Sequence, residues 1–381
     1  MFIVALAYLA FVSLALPPSM LGVTWPSMRL SFGQPLSSVG LIPPVGVLAG
    51  LASTTLAPYV VRRFGVGRVL AVGTFGSVAS LALVVTSPDM WQFLASAVVG
   101  GVGAGAVDTT LNMFAARAFG PRRINLMHAS YGLGAAASPL IATGVIAGGL
   151  SWRWAYAIVM GLQLVVAFIF TVTWKRWDLP VLEQTTARPR KARVWGLDST
   201  LGMALAAVQN GIEATVAIWA FVFLTELGVS IVVAGGLASG YWLTLVIGRV
   251  GFGSLAERIG PWKVMYVAVA LLLGAAVLAN VALPIPAMAA VLLFGIGAAP
   301  MYPLLVLTTA ERTSAEVADR VIGFQAAASS IGNAIAPGLV GLAIGVQPRA
   351  IGWATAALAT TAAILVLTIR RRVRARVRAW V

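Results

Sequence analysis

Twelve long apolar blocks divided by short polar gaps constrain this 381-residue chain more than any other feature. They lie near residues 2–24, 36–60, 67–87, 91–118, 122–148 and 152–174, and again near 198–226, 231–256, 262–282, 286–310, 319–345 and 350–370. Each approaches the ~20 residues that a helix needs to cross the hydrocarbon core of a bilayer. A backbone in lipid must satisfy its own N–H and C=O groups, so such blocks predict helices. Charged residues make up 10% of the chain, against roughly 25% in soluble domains. The expected fold is therefore an all-α membrane protein with twelve transmembrane helices in two six-helix bundles related by a pseudo-two-fold. The first block lacks a basic leader and a clear cleavage site, and is expected to be a retained helix.

The formal charge of +15 would suit nucleic acid, but its distribution argues against that. Lysine and arginine cluster at 62–68, 117–123, 175–193, 258–263, 312–320 and 370–378, in alternate gaps between apolar blocks. The intervening gaps hold only Arg29, Arg153 and Arg349. This asymmetry is the positive-inside pattern. It predicts a prokaryotic plasma (inner) membrane protein with both termini cytoplasmic. The tail RRRVRARVRAW is expected to rest on anionic membrane lipid. The absence of cysteine excludes disulfides, Cys-ligated zinc and thiol nucleophiles. One histidine leaves no metal-ligand spacing, and no GxxxxGK[ST] loop is present to cradle a nucleotide. Neither a cofactor nor an enzymatic activity is expected.

The only long polar segment, KRWDLPVLEQTTARPRKARVWGL at 175–197, falls at the centre of the chain. It is expected to be a cytoplasmic linker between a bundle at 1–174 and a second bundle at 198–381 that carries the basic tail. The halves echo each other. RRFGVGRVL at 62–70 matches ERIGPWKVM at 257–265 with an offset of 195. GVG at 101–103 matches GIG at 295–297, and Gly134 with Pro139 matches Gly332 with Pro337. Two parallel six-helix repeats with a site near the midplane describe a secondary transporter.

GRVGFGSLAERIG at 248–260, set in this layout, resembles the short loop motif of the major facilitator superfamily. The resemblance implies gating roles for Arg249, Glu257 and Arg258, and for Arg62 and Arg63 in the first-half counterpart APYVVRRFGVGR. That counterpart lacks the motif's acid, which implies a weaker latch. The acid and asparagine of the fourth span, RRxNxxHxxYGxGAxxxP in the fifth and NGIEATVAIW in the seventh are similar to the fucose-permease-like branch of sugar–proton symporters. A monomer is implied by the same resemblance.

A charged side chain near a bilayer centre costs on the order of 3 kcal/mol, so those present usually face a cavity or a partner. Asp108 and Glu213 are the two carboxylates well inside predicted spans. With His128 they are the candidates for proton coupling, by carrying a proton or relaying it. Structural hydrogen bonding is the plainer alternative for each. Asp108 and Asn112 share a helix face with Gly101 and Gly105, which would admit close packing. Asn112, Asn125, Gln209, Asn210, Gln325, Ser329 and Asn333 are candidates for binding substrate hydroxyls, because amides both donate and accept without net charge. Trp219, Tyr241 and Tyr302 are the candidate aromatic contacts. Trp25, Trp91, Trp152 and Trp154 sit at span ends and are expected in the interfacial belt. Prolines at 17–18, 43–44, 139, 300, 303 and 337 are expected to interrupt helices.

The expected function is proton-coupled symport of a small polar solute, most simply a monosaccharide, by alternating access. Sodium could replace the proton, because carboxylate and amide oxygens suit it too. Efflux of drugs or metabolites by proton antiport is a second transporter reading, disfavoured by the polar stripe in the eleventh span. A sensor on a transporter fold is the non-transport alternative.

Overall fold

A computed structural model describes residues 2–177, 195–347 and 350–380. Most of the expected linker and the charge at Arg349 lie outside the described residues. Among the described residues, twelve helices are long and apolar enough to cross a membrane. They run Phe2–Ser31, Leu36–Phe64, Val66–Thr86, Met90–Ala118, Arg122–Ala147 and Arg153–Trp177, then Leu197–Glu226, Ile231–Ile259, Pro261–Asn280, Pro284–Leu307, Val317–Gly345 and Ala350–Ala375. Their outward faces carry large apolar side chains such as Val72, Ile247 and Ile285, as suits helices whose solvent is lipid. The chain falls into two compact units, residues 1–183 and 184–381.

The prolines behave differently from expectation. Pro17, Pro18 and Pro26 lie within one continuous helix, which carries the first span to Ser31. Pro139 and Pro337 are also interior to unbroken helices, and Pro43 and Pro44 open the second span's long helix, where a missing N–H costs nothing. Among the described residues, the tenth span is the one parted at a proline. It consists of helices Pro284–Ala298 and Met301–Leu307, parted at Ala299 and Pro300.

Inside each unit the same helix pairs pack. The first span meets the fifth, the fourth meets the second and third, and the third meets the sixth. In the other unit the seventh meets the eleventh, the tenth meets the eighth and ninth, and the ninth meets the twelfth. Glycines make these seams by meeting a neighbour's backbone. A Cβ at Gly134 would lie 2.3 Å from the Val12 carbonyl oxygen, and one at Gly332 would lie 1.9 Å from that of Ala207. Gly101 approaches the Gly46 carbonyl and Gly295 that of Tyr241, while Gly103 approaches Gly73 and Gly297 approaches Ala268. Each pair of approached carbonyls is 195 residues apart, the offset of the loop motif. The loop glycine repeats as well. Gly65 and Gly260 turn the second span into the third and the eighth into the ninth with φ of 82° and 89°. Their N–H groups cap Val61 and Ala256. Only glycine enters that left-handed region without strain.

Candidate functional site

Each unit holds its own polar group. In the first unit the fourth helix begins at an N-cap, where the Asp89 carboxylate accepts from the Gln92 N–H at 2.9 Å. Gly101 and Gly105 then lay one face of that helix against Gly46 and Gly50 of the second span. Asp108 lies farther along this face, where the side chain is exposed. Asn112 Nδ2, one turn on, donates to the Asp108 backbone carbonyl at 2.9 Å and to its Oδ1 at 3.2 Å. Asp108 also interacts electrostatically with His128 of the fifth span. The His128 ring stands edge-on to the buried Phe11, with centroids 5.3 Å apart, and is itself exposed, as is Asn125 one turn earlier. Ser130 and Ser138 fix the fifth helix to the first by donating to the Tyr8 and Leu16 carbonyls.

The second unit builds a denser group around Glu213. Gln209 is 1% exposed, and its Nε2 donates to Glu213 Oε1 at 2.5 Å. Asn210 Nδ2 donates to Gln209 Oε1 at 2.8 Å. The Tyr241 hydroxyl donates to the Glu213 backbone carbonyl at 3.1 Å. Arg249 Nη2 lies 3.5 Å from both carboxylate oxygens. The side chains of this ion pair are 48% and 12% exposed, arginine first.

Several expectations change here. Arg249 of the eighth helix meets an acid of its own unit, Glu213 of the seventh. Glu257 and Arg258 are exposed beyond it. Arg62 and Arg63 are also exposed and lie over the rings of Tyr59 and Phe64. Trp219 is fully buried, and its indole N–H donates to the Pro337 carbonyl at 2.9 Å. Tyr241 is likewise buried, so neither ring offers a face to a solute. Tyr302 is half-buried. The stripe of the eleventh span points mainly inward: Ser329 donates to the Ala206 carbonyl, and Gln325 Oε1 accepts from Thr309. Only Asn333 of that stripe is exposed. Of the four tryptophans expected in the belt, Trp91 and Trp154 are exposed while Trp25 and Trp152 are buried. The buried pair donate to the Leu36 carbonyl and the Ser31 hydroxyl.

Sequence reasoning missed Arg312. It reads as one more charge in a basic gap, yet it is fully buried. Its Nε donates to the Thr308 carbonyl at 3.2 Å, and Nη2 donates to the Leu305 carbonyl at 2.7 Å and Thr309 Oγ1 at 2.8 Å. Burial pulls this guanidinium down to about 10, against the opposing pull of Asp198 and Glu311. Gly202 makes the room: a Cβ there would lie 2.4 Å from Arg312 Nη1 and 2.8 Å from Gln325 Nε2. Asp198 in turn accepts from Arg372 Nε at 2.7 Å. Glu311 accepts from Trp262 Nε1 and Arg370. The signal in sequence was Gly202 four residues after an acid, too slight to read.

Among the described residues no group of three or more His, Cys, Asp or Glu side chains could hold a metal. What the two groups can do chemically is exchange protons, hold hydroxyls and balance one cation against one carboxylate.

Comparison with known proteins gives the fold a family. The sequence model of the Major Facilitator Superfamily matches residues 2–337 and again residues 199–380. No curated protein matches the chain significantly in sequence. Among solved structures it is similar to the nucleoside transporter NupG at 14% identity, covering 97% of this chain and 99% of that one with a TM-score of 0.74. It is similar to the D-xylose-proton symporter at 14% identity, with 96% of each chain covered and a TM-score of 0.75. It is also similar to FucP in the outward conformation at 18% identity, with 98% and 99% covered and a TM-score of 0.62.

Proposed function

This chain belongs to the Major Facilitator Superfamily and is a multi-pass membrane transporter, and on that premise we propose that it couples proton movement to transport of a small hydroxylated solute of the monosaccharide class. The exposure of Asp108 carries the reading. Its carboxylate sits on an apolar helix, open on one side, with Asn112 and His128 as polar neighbours. A group so placed can take a proton from outside its unit and give it up again. His128 stands nearer the basic turn at Arg122–Arg123 and serves as the next station. Asn112, Asn125, Asn210 and Asn333 are the amides left on accessible faces, and they fit hydroxyls. A D-xylose-proton symporter and FucP among the similar structures support the same direction. On this reading the basic gaps face the cytoplasm, and so do both termini and the arginines Arg62, Arg63 and Arg258.

A proton falling through one pH unit supplies ~1.4 kcal/mol, enough for about tenfold accumulation. Proteoliposomes loaded at about neutral pH and diluted into acidic buffer test this with a panel of labelled monosaccharides. Accumulation without sodium, lost in Asp108→Asn while the variant remains folded, is the expected result. Accumulation that needs sodium would replace the ion, and undiminished pH-driven uptake by Asp108→Asn would remove Asp108 from the mechanism.

A further inference from the structure

The Glu213–Arg249 pair has more capacity than a neutral sugar uses. Arginine offers five N–H donors in a planar fork, and Glu213 engages it through Nη2 alone. At 3.5 Å the contact is longer than the ~2.7–2.9 Å of a well-made charge-assisted bond. The exposure is lopsided: Arg249 is the open partner and Glu213 the sheltered one. Glu213 does not depend on Arg249 for its position. Gln209 donates to its Oε1, Asn210 orients Gln209, and Tyr241 holds the backbone carbonyl of the same residue. Neutral Glu213 keeps an oxygen for Gln209 to donate to. Arg249 would then face open space with its charge unbalanced.

We propose that the solute carries a carboxylate beside its hydroxyls, as a hexuronate does, and that Arg249 binds this carboxylate once Glu213 has taken a proton. The inference rests on the hydroxylated-solute reading above and narrows its substrate class. The proton adds to a Glu213 oxygen, one O–H bond forms, and the solute carboxylate replaces Glu213 as the counter-ion of Arg249. One anion and one proton enter this site together, so the site's charge is unchanged. The groups facing Glu213 are Arg249 and Tyr241 from the eighth span and the uncharged Gln209 and Asn210 from its own helix. The tenth span contributes a backbone carbonyl, that of Ala298, against Gln209. A fork meeting a carboxylate bidentately gains geometry as well as charge, which a lysine cannot supply.

The test uses the purified transporter in proteoliposomes with matched pairs: glucose against glucuronate and galactose against galacturonate. In one pair the uronate should be taken up, or compete, at least about tenfold better than its parent hexose, equivalent to ~1.4 kcal/mol. Arg249→Gln should abolish that preference. Arg249→Lys, which keeps the charge and guards against a folding defect, should retain only part of it. Glu213→Gln should keep the preference but remove its dependence on pH. Hexose transport without a uronate preference, or a preference that survives Arg249→Gln, would overturn this inference and leave the proton–sugar reading standing. Transport of neither class would overturn both.

Discussion

The two units share a skeleton and differ in what they hang on it. Gly134 against Val12 and Gly332 against Ala207 are one seam made twice, as are Gly101 against Gly46 and Gly295 against Tyr241. The polar groups are not duplicated. Asp108 stands open with a neighbouring amide, whereas Glu213 is wrapped by Gln209, Tyr241 and Arg249. The broken tenth helix has Tyr302 near the place that Asp108 occupies in the unbroken fourth. The difference shows that helix packing and site chemistry are set by separate residues: backbone seams fix the bundle, and the side chains between them are free to diverge.

Four tests would break or sharpen that comparison. The largest effect is expected at Arg312, which has no buried arginine opposite it in the first unit among the described residues. Arg312→Gln strips donors from the Leu305 and Thr308 carbonyls and a charge from beside Asp198. Because Asp198 keeps Arg372, the loss should be about 3 kcal/mol, below the upper range for a broken buried pair. Thermal unfolding in detergent would register it, and an unchanged midpoint would refute a stabilising role for Arg312.

Next come the seams. Gly134→Ala and Gly332→Ala each force a methyl onto a carbonyl oxygen, so each should cost about 1–3 kcal/mol. Gly323→Ala, with nothing within 4 Å of the added atom, should stabilise its helix by about 0.5–1 kcal/mol. Equal losses at 134 and 332 would make the shared skeleton an energetic fact. A loss at only one would confine the likeness to geometry.

Trp219→Phe removes the hydrogen bond to Pro337 and should cost ~1 kcal/mol, with solute affinity unchanged in a binding assay. A fall in affinity at unchanged stability would return Trp219 to the solute. The smallest effect concerns pH. The Arg312 guanidinium lies at about 10 in the folded chain, below its ordinary value. The unfolded chain therefore binds more protons between those values, and stability rises with pH only there. Between about pH 6 and 9 the stability difference between wild type and Arg312→Gln should stay flat. A slope in that window would mean that another group titrates with it.

The spans were legible because their length and greasiness are set by the bilayer, and the doubling was legible in RRFG and ERIG because a left-handed turn there demands glycine. The first span's run to Ser31 was not. Prolines in a helix packed along its length need not stop it, since neighbouring side chains and the local backbone accommodate the lost bond. Trp25, Trp152, Trp219 and Tyr241 misled for a different reason. An aromatic with a polar tip has the same composition signature at a membrane interface, in a solute cavity or against a buried carbonyl. Arg249 was legible as a residue in a motif, and its partner was not, because Glu213 lies 36 residues earlier on another helix. Arg312 hid among arginines that face outward.

The main-chain seams have a consequence for inheritance. A contact between a glycine and a carbonyl asks one position for smallness and asks its partner for nothing, since every residue has a carbonyl. Most of the alphabet can therefore turn over along these helices without unseating them. Proteins at 14% identity can keep a TM-score of 0.75 across 96% of both chains on those terms. The side chains around a site can therefore change its cargo while the bundle beneath them stays as it is.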